Sequence, residues 1–319
     1  MNHSDEKLPL VSIIINNYNY SLFLQEAIDS ALNQTYPYIE VIVVDDGSSD
    51  NSQEIITSYG DRVVPVLKEN GGQGSAFNAG FAVCRGEAIF FLDSDDVFYA
   101  NKVKDILEVL NNKMANSPFV MVYHLLECVD KNGVSLGRRL PKSLPNLPAN
   151  LYQYACQYKF LPYAAAPTSG IAISRELAKL IFPIPEQGVR TSADEFIVKP
   201  ALLLGEVYGV ERVLSQYRLH GGNNWYAHQK AKTKEFAVLL EEFLNTKLKE
   251  NNKQPVISFF DSMYARNHYA IYGSSKDLFK LLLKVPGLRM NFTTIRFILK
   301  TLFLAIKLQF KPGEQNELR

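Results

Sequence analysis

At 319 residues the chain has room for one large domain or two modest ones. With 47% hydrophobic and 21% charged residues it can bury a sizeable core, which excludes wholesale disorder. A formal net charge of +1 excludes general polyanion binding, so no nucleic-acid partner is expected and any charged partner must be met by a local patch.

The three cysteines, Cys84, Cys128 and Cys156, form no CxxC and no Cys/His zinc spacing. That is neither a disulfide framework nor a zinc site, and it suits a reducing, cytoplasmic compartment. Met1–Pro9 is polar and charged, and the apolar run after it is too short for a signal peptide. No window of about 18 uncharged apolar residues is present, so no spanning helix is expected.

Along the chain, Leu10–Ile15, Glu40–Val44, Val63–Leu67 and Ala88–Leu92 are short, β-branched and nearly continuous in apolar character. They read as strands buried on both faces, the mark of a parallel sheet. Helical patterns over 21–33, 51–59, 74–84 and 99–112 separate and follow them. Asp50 with Gln53 resembles a capping box. The alternation predicts an α/β sheet with right-handed crossovers. Further on, Phe119–Val129 reads as a strand, Lys131-Asn132-Gly133 as a turn, and Val134–Leu136 as a return strand. Pro141–Pro148 reads as a mobile or surface loop. Thr168–Ile173 reads as a strand, Asp194–Leu204 as a helix, and Glu206–Leu219 as an extended segment. From 227 on the patterns are helical, at 227–250, 256–272, 275–285 and 291–310, so a boundary is expected near 226. The expected units are 1–225, catalytic, and 226–319, helical.

In open α/β sheets ligands bind beyond the carboxyl ends of the strands. Here those ends carry Asn16-Asn17-Tyr18-Asn19, Asp45-Asp46-Gly47-Ser48, Lys68 to Gly74, and Asp93-Ser94-Asp95-Asp96. Asp, Asn and Gly are common in turns, which would explain one such cluster. Four on one rim point to a polar ligand. Asp93, Asp95 and Asp96 repel one another unless a cation or donors compensate. A hard divalent ion, Mn²⁺ or Mg²⁺, would do so; a helix N-terminus is the other reading. The glycine stretch is neither GxGxxG nor a P-loop.

The order VSIIINNYN, VVDDGSSD, NGGQGSAFNAG and FLDSDD resembles the inverting glycosyltransferases of family 2, which have a GT-A fold. Ser192-Ala193-Asp194-Glu195 resembles that family's acidic ED motif, and Tyr217 to Asn223 its YRxHxxN segment. The resemblance covers roughly residues 10–225. It implies a mostly parallel central sheet flanked by helices, and transfer of a sugar from a nucleotide-diphosphate sugar, UDP-sugars favoured, to a glycan or lipid-linked acceptor. Such enzymes serve polysaccharide or glycolipid biosynthesis. The resemblance also implies roles. Asn16 and Tyr18 would line the base pocket, and Asp46 would accept an imide N–H. Gly74 would lie in the nucleotide loop, and Asp93 would meet the ribose. Asp95 would hold Mn²⁺ or Mg²⁺, with His220 reaching the metal or the diphosphate. Asp194 would be the general base, or Glu195 if the motif is read one residue later. The chain departs from the family where Phe77 replaces a frequent arginine. Two other readings stay open: a sugar nucleotidyltransferase, and an inactive sugar-nucleotide-binding or scaffolding protein.

Arg289, Arg296, Lys300, Lys307 and Lys311 fall on one face of the last helical pattern, beside a broad apolar surface. This suits either peripheral contact with an anionic membrane leaflet, on the inner face, or packing on the catalytic body. Trp225 would stack on an acceptor sugar or pin a loop.

Overall fold

A computed structural model of the protein describes residues 8–148, 150–158, 161, 166–223 and 234–255. The expected alternation of strand and helix fills its first third. β1 (Val11–Asn17), β2 (Ile39–Asp45), β3 (Val64–Leu67) and β4 (Ala88–Asp93) run parallel in the order β3-β2-β1-β4. They are joined by α1 (Ser21–Leu32), α2 (Ser52–Ser58) and α3 (Gln73–Val83). Continuous apolar runs make sense in β1 and β2 because both faces are covered. Ile13 and Ile15 pack with Leu24 and Ile28 of α1 on one side, and Ile14 packs with Phe77 of α3 on the other. β3 departs from this. It is the edge strand, and Val64 and Leu67 are exposed.

Beyond β4 the sheet is mixed rather than mostly parallel. β5 (Val97–Phe98) and α4 (Lys102–Met114) come next, followed by β6 (Val120–Val129) and β7 (Ser135–Leu140). β6 and β7 form an antiparallel hairpin through the expected turn, where Gly133 N donates to Asp130 O. After α5 (Leu151–Tyr158), a 3₁₀ turn at Thr168–Gly170 leads into β8 (Ile171–Ser174), so that strand begins later than its apolar pattern suggests. β8 runs antiparallel between β4 and β6. α6 (Arg175–Ile181) and α7 (Glu195–Leu204) precede β9 (Glu206–Arg218), which is parallel to β6 and antiparallel to β5. Among the described residues the sheet has nine strands.

The capping box is not formed. Gln53 Nε2 donates instead to Asp45, while Asp50 accepts from the backbone of Ser52 and Ser21, tying α2 to α1.

α8 (Lys234–Glu250) follows the expected boundary near 226 and packs on α7. Phe196 of α7 meets the rings of Phe236 and Phe243 at 5.3 and 5.5 Å, and Leu240, Leu244 and Leu248 join the same core. The segments read as helical at 256–272, 275–285 and 291–310, the basic stripe and Trp225 lie outside the described residues. Among the described residues no helix is long and apolar enough to cross a membrane.

One buried carboxylate locks the base of the parallel sheet. Glu40 accepts from Ser12 Oγ at 2.7 Å, from Arg85 N at 2.5 Å and from Arg85 Nε at 2.9 Å. Burial pushes its pKa up, but the donors at Ser12 and Arg85 outweigh burial and hold it below 4.5. A lowered native pKa contributes stability above the unfolded value, lost as pH falls through the native one. Glu40→Gln is therefore expected to cost about 1–3 kcal/mol at neutral pH. In urea melts the gap from the parent should close as pH drops below the ordinary carboxylate range.

Candidate active site

Parallel pairing puts the ends of β1, β2 and β4 level: Asn16 lies opposite both Val44 and Asp93, and Asn17 opposite Asp45. The polar clusters that follow these strands therefore form one wall. They border a cleft of about 800 Å³ lined by Asn16, Tyr18, Asp46, Asp93, Asp95 and Asp194 among others. Six of the eight residues singled out from the sequence meet there.

The wall is built from backbone donors and buried carboxylates. Asp46 Oδ1 accepts from Lys68 Nζ at 2.8 Å and Gly71 N at 2.9 Å, and Oδ2 accepts from Gly72 N at 2.7 Å. It thereby holds the loop after β3 in shape. Gly72 has φ +91°, and a Cβ there would meet Arg190 Cα at 2.7 Å. Only glycine suits that position. Gly74, expected in the nucleotide loop, does not line the cleft. A Cβ there would lie 2.6 Å from Pro185 O, so its small size serves close packing against the next loop. Tyr18 is exposed at the cleft mouth. Phe77, the departure noted in the sequence, is a core residue edge-on to Phe91.

Asp93 and Asp95 form the floor. Burial pushes the Asp93 carboxyl up to about 7, with the charges of Asp95 and Asp194 adding to the effect. Asp95 Oδ2 accepts from His220 Nε2 at 3.0 Å and Asn223 Nδ2 at 3.3 Å. His220 Nδ1 accepts from Gly222 N at 3.2 Å, which assigns the ring proton to Nε2. Both ring nitrogens are thus engaged, and His220 orients Asp95 from outside the cleft lining. The ring is fixed in turn by Phe23 and Tyr20, at centroid distances of 4.8 and 5.6 Å. Arg218 completes the support, donating from Nε to Asp95 O and from its backbone N to Asp96 Oδ1, both at 2.9 Å.

Asp194 arrives from another direction, at the start of α7. The loop that carries it is stitched to α3. Gln73 N donates to Arg190 O at 3.2 Å, Gly74 N to Val189 O at 3.1 Å, and Ala193 N to Gln73 Oε1 at 2.9 Å. Gln73 Nε2 also lies 3.4 Å from Asp93 Oδ1, so one side chain spans the two acidic walls. Lys199, one turn into α7, is pulled down to about 8 by burial, against the attraction of Asp194. Gln73 and Arg190 line the cleft; Gln73 falls inside the NGGQGSAFNAG motif without a role of its own, while Arg190 lies in no motif and is paired with Asn70.

Among the described residues no three His, Cys, Asp or Glu side chains are gathered as a ready-made metal centre. The donor chemistry still suits a hard cation. Asp93 and Asp95 offer carboxylate oxygens to the cleft, and like charge adds to burial in raising the Asp93 pKa.

Similarity to known proteins agrees with this arrangement. Residues 12–158 match the model of the family described as glycosyl transferase family 2. An uncharacterized glycosyltransferase of Nostoc sp. is 36% identical over 248 residues, which is 74% of each chain. An uncharacterized glycosyltransferase of Rickettsia prowazekii is 48% identical over 128 residues, 40% of each chain, so that match spans less than half of the relative. Among solved structures, S. aureus TarS in complex with UDP aligns with a TM-score of 0.53 at 17% identity, over 87% of this chain and 81% of that one. The UDP-GlcNAc complex of TarS gives 0.54 at 16%, over 87% and 82%. The structural likeness establishes a common fold. The extent of the Nostoc match, taken with the family model and the strand-end motifs, establishes that the chain belongs to glycosyltransferase family 2.

Proposed function

We propose that the protein transfers a glycosyl unit from a nucleoside-diphosphate sugar, a UDP-sugar first, to an acceptor hydroxyl with inversion at the anomeric carbon. The observation that carries this reading is the shared cleft of about 800 Å³ that Asp93, Asp95 and Asp194 line together. The UDP and UDP-GlcNAc complexes of TarS support the choice of donor.

Tyr18 would stack on the base, with Asn16 beside it. Asp46 spends three of about four lone-pair sites on the loop, leaving one for an imide N–H. Asp93 would meet the ribose. Asp95, with Asp93 beside it, would hold Mn²⁺ or Mg²⁺, and His220 would keep Asp95 aimed. When bound, the ion supplies Lewis-acid stabilisation of the departing diphosphate. Asp194 accepts the acceptor's hydroxyl proton as its oxygen bonds to the anomeric carbon and the bond to the diphosphate breaks. A single displacement of this kind inverts the centre.

The test is UDP release from a panel of UDP-sugars with Mn²⁺ or Mg²⁺, with acceptors offered as free glycans and on anionic vesicles. We expect release that EDTA stops and added metal restores, and product of opposite anomeric configuration by NMR. Faster turnover on vesicles would support a lipid-linked acceptor and peripheral membrane contact. Neither binding nor release across the panel would overturn the reading.

A further inference from the structure

We infer that Lys102 is a positioning residue that fixes the acidic floor of the cleft from beneath, through Ser169. This rests on the proposed reading of that floor as the donor site. Lys102 opens α4 and has no exposed surface. Its Nζ donates to Ser169 O at 2.6 Å and to Ser215 Oγ at 3.2 Å. Ser215 Oγ donates to the same carbonyl at 3.1 Å. Ser169 Oγ then accepts from Asp93 N at 3.0 Å. One buried ammonium thus joins α4, the 3₁₀ turn before β8, β9, and the first peptide of the Asp93-Ser94-Asp95-Asp96 loop.

The surroundings hold this side chain by aromatic rings as well as by hydrogen bonds. The ammonium lies 3.2 Å from the centroid of the Phe98 ring and 5.9 Å from that of Phe90. Burial pushes the Lys102 pKa well down, against the attraction of Asp96, itself buried, whose Oδ1 takes the backbone N of Arg218. Burying an ammonium is expensive unless it is paired and hydrogen-bonded. An apolar residue of the same length would fill the space without that cost, but it would release the Ser169 carbonyl. Of the two side chains that hold the Ser169 carbonyl, only Ser215 would then remain. Sequence reasoning passed over Lys102 because a lysine opening a helix reads as solvent-facing. Its spacing from Ile106 and Leu110 (i, i+4, i+8) puts it on the buried face.

The experiment compares Lys102→Met with the parent by residue-resolved amide exchange and by calorimetric titration with UDP and Mn²⁺. We expect Asp93–Asp96 amides to lose about tenfold protection or more, with β1 and β2 keeping theirs, and UDP affinity to fall by about the same factor. Ser169→Ala removes the last link and should give the same local pattern, which keeps the test decisive if Lys102→Met does not fold. The double variant should then be no worse than the poorer single one. Unchanged protection at Asp93–Asp96, or a uniform loss across the sheet, would overturn the inference. A parent that does not bind UDP would overturn the donor-site reading, while amide exchange would still decide the role of Lys102.

Discussion

Asp194→Asn is expected to bind UDP as the parent does and to transfer sugar about 10²–10⁴-fold more slowly. The side chain is isosteric, and the loop that carries it is held by backbone bonds to α3 that the substitution leaves alone. What disappears is the group proposed to take the acceptor proton. An alcohol is a poor nucleophile until that proton leaves, so the loss falls on kcat. Single-turnover transfer measured beside UDP calorimetry separates the two. Turnover near the parent's level would reject Asp194 as base and direct attention to Glu195, whose carboxylate is bonded to Lys199 at 2.5 Å.

Asp95→Asn should lower kcat/KM by about a thousandfold, the equivalent of several kcal/mol of leaving-group stabilisation. The amide keeps the shape of the carboxylate and removes the charge. The Mn²⁺ concentration giving half-maximal activity should rise sharply, and UDP affinity in Mn²⁺ should fall toward its value in EDTA. His220 and Asn223 both donate to Oδ2, a position the amide oxygen can take, so the effect falls on the lost charge rather than on the shape of the wall. Activity that keeps its metal response would remove Asp95 from the proposed metal site.

The parallel part of the fold was legible because its physics is local and repetitive. Apolar runs ending in Asn16, Asp45 and Asp93 can all be buried only as neighbouring strands, and parallel strands deliver their carboxyl ends to one rim. Clusters far apart along the chain therefore met as expected. The antiparallel half was harder to read. Ile171–Ser174 joins β4 to β6 by pairings far apart in the chain, which no short pattern encodes. Gly74 misled because a glycine in a turn signals either approach to a ligand or close packing, and here Pro185 O decides for packing. Gln73 stood inside a strand-end cluster, but its role was not legible, because it lies in reaching two carboxylate-bearing loops at once, a property of three-dimensional closeness rather than of residue type.

The seating of α8 on α7 bears on how this enzyme could be re-engineered. Phe236 both borders the cleft and leans on Phe196, two residues past Asp194. The region after 226 is therefore no interchangeable cassette: a chimera with a foreign tail would inherit an altered backing for its proposed base unless the graft supplied equivalents of Phe236, Leu240, Phe243, Leu244 and Leu248.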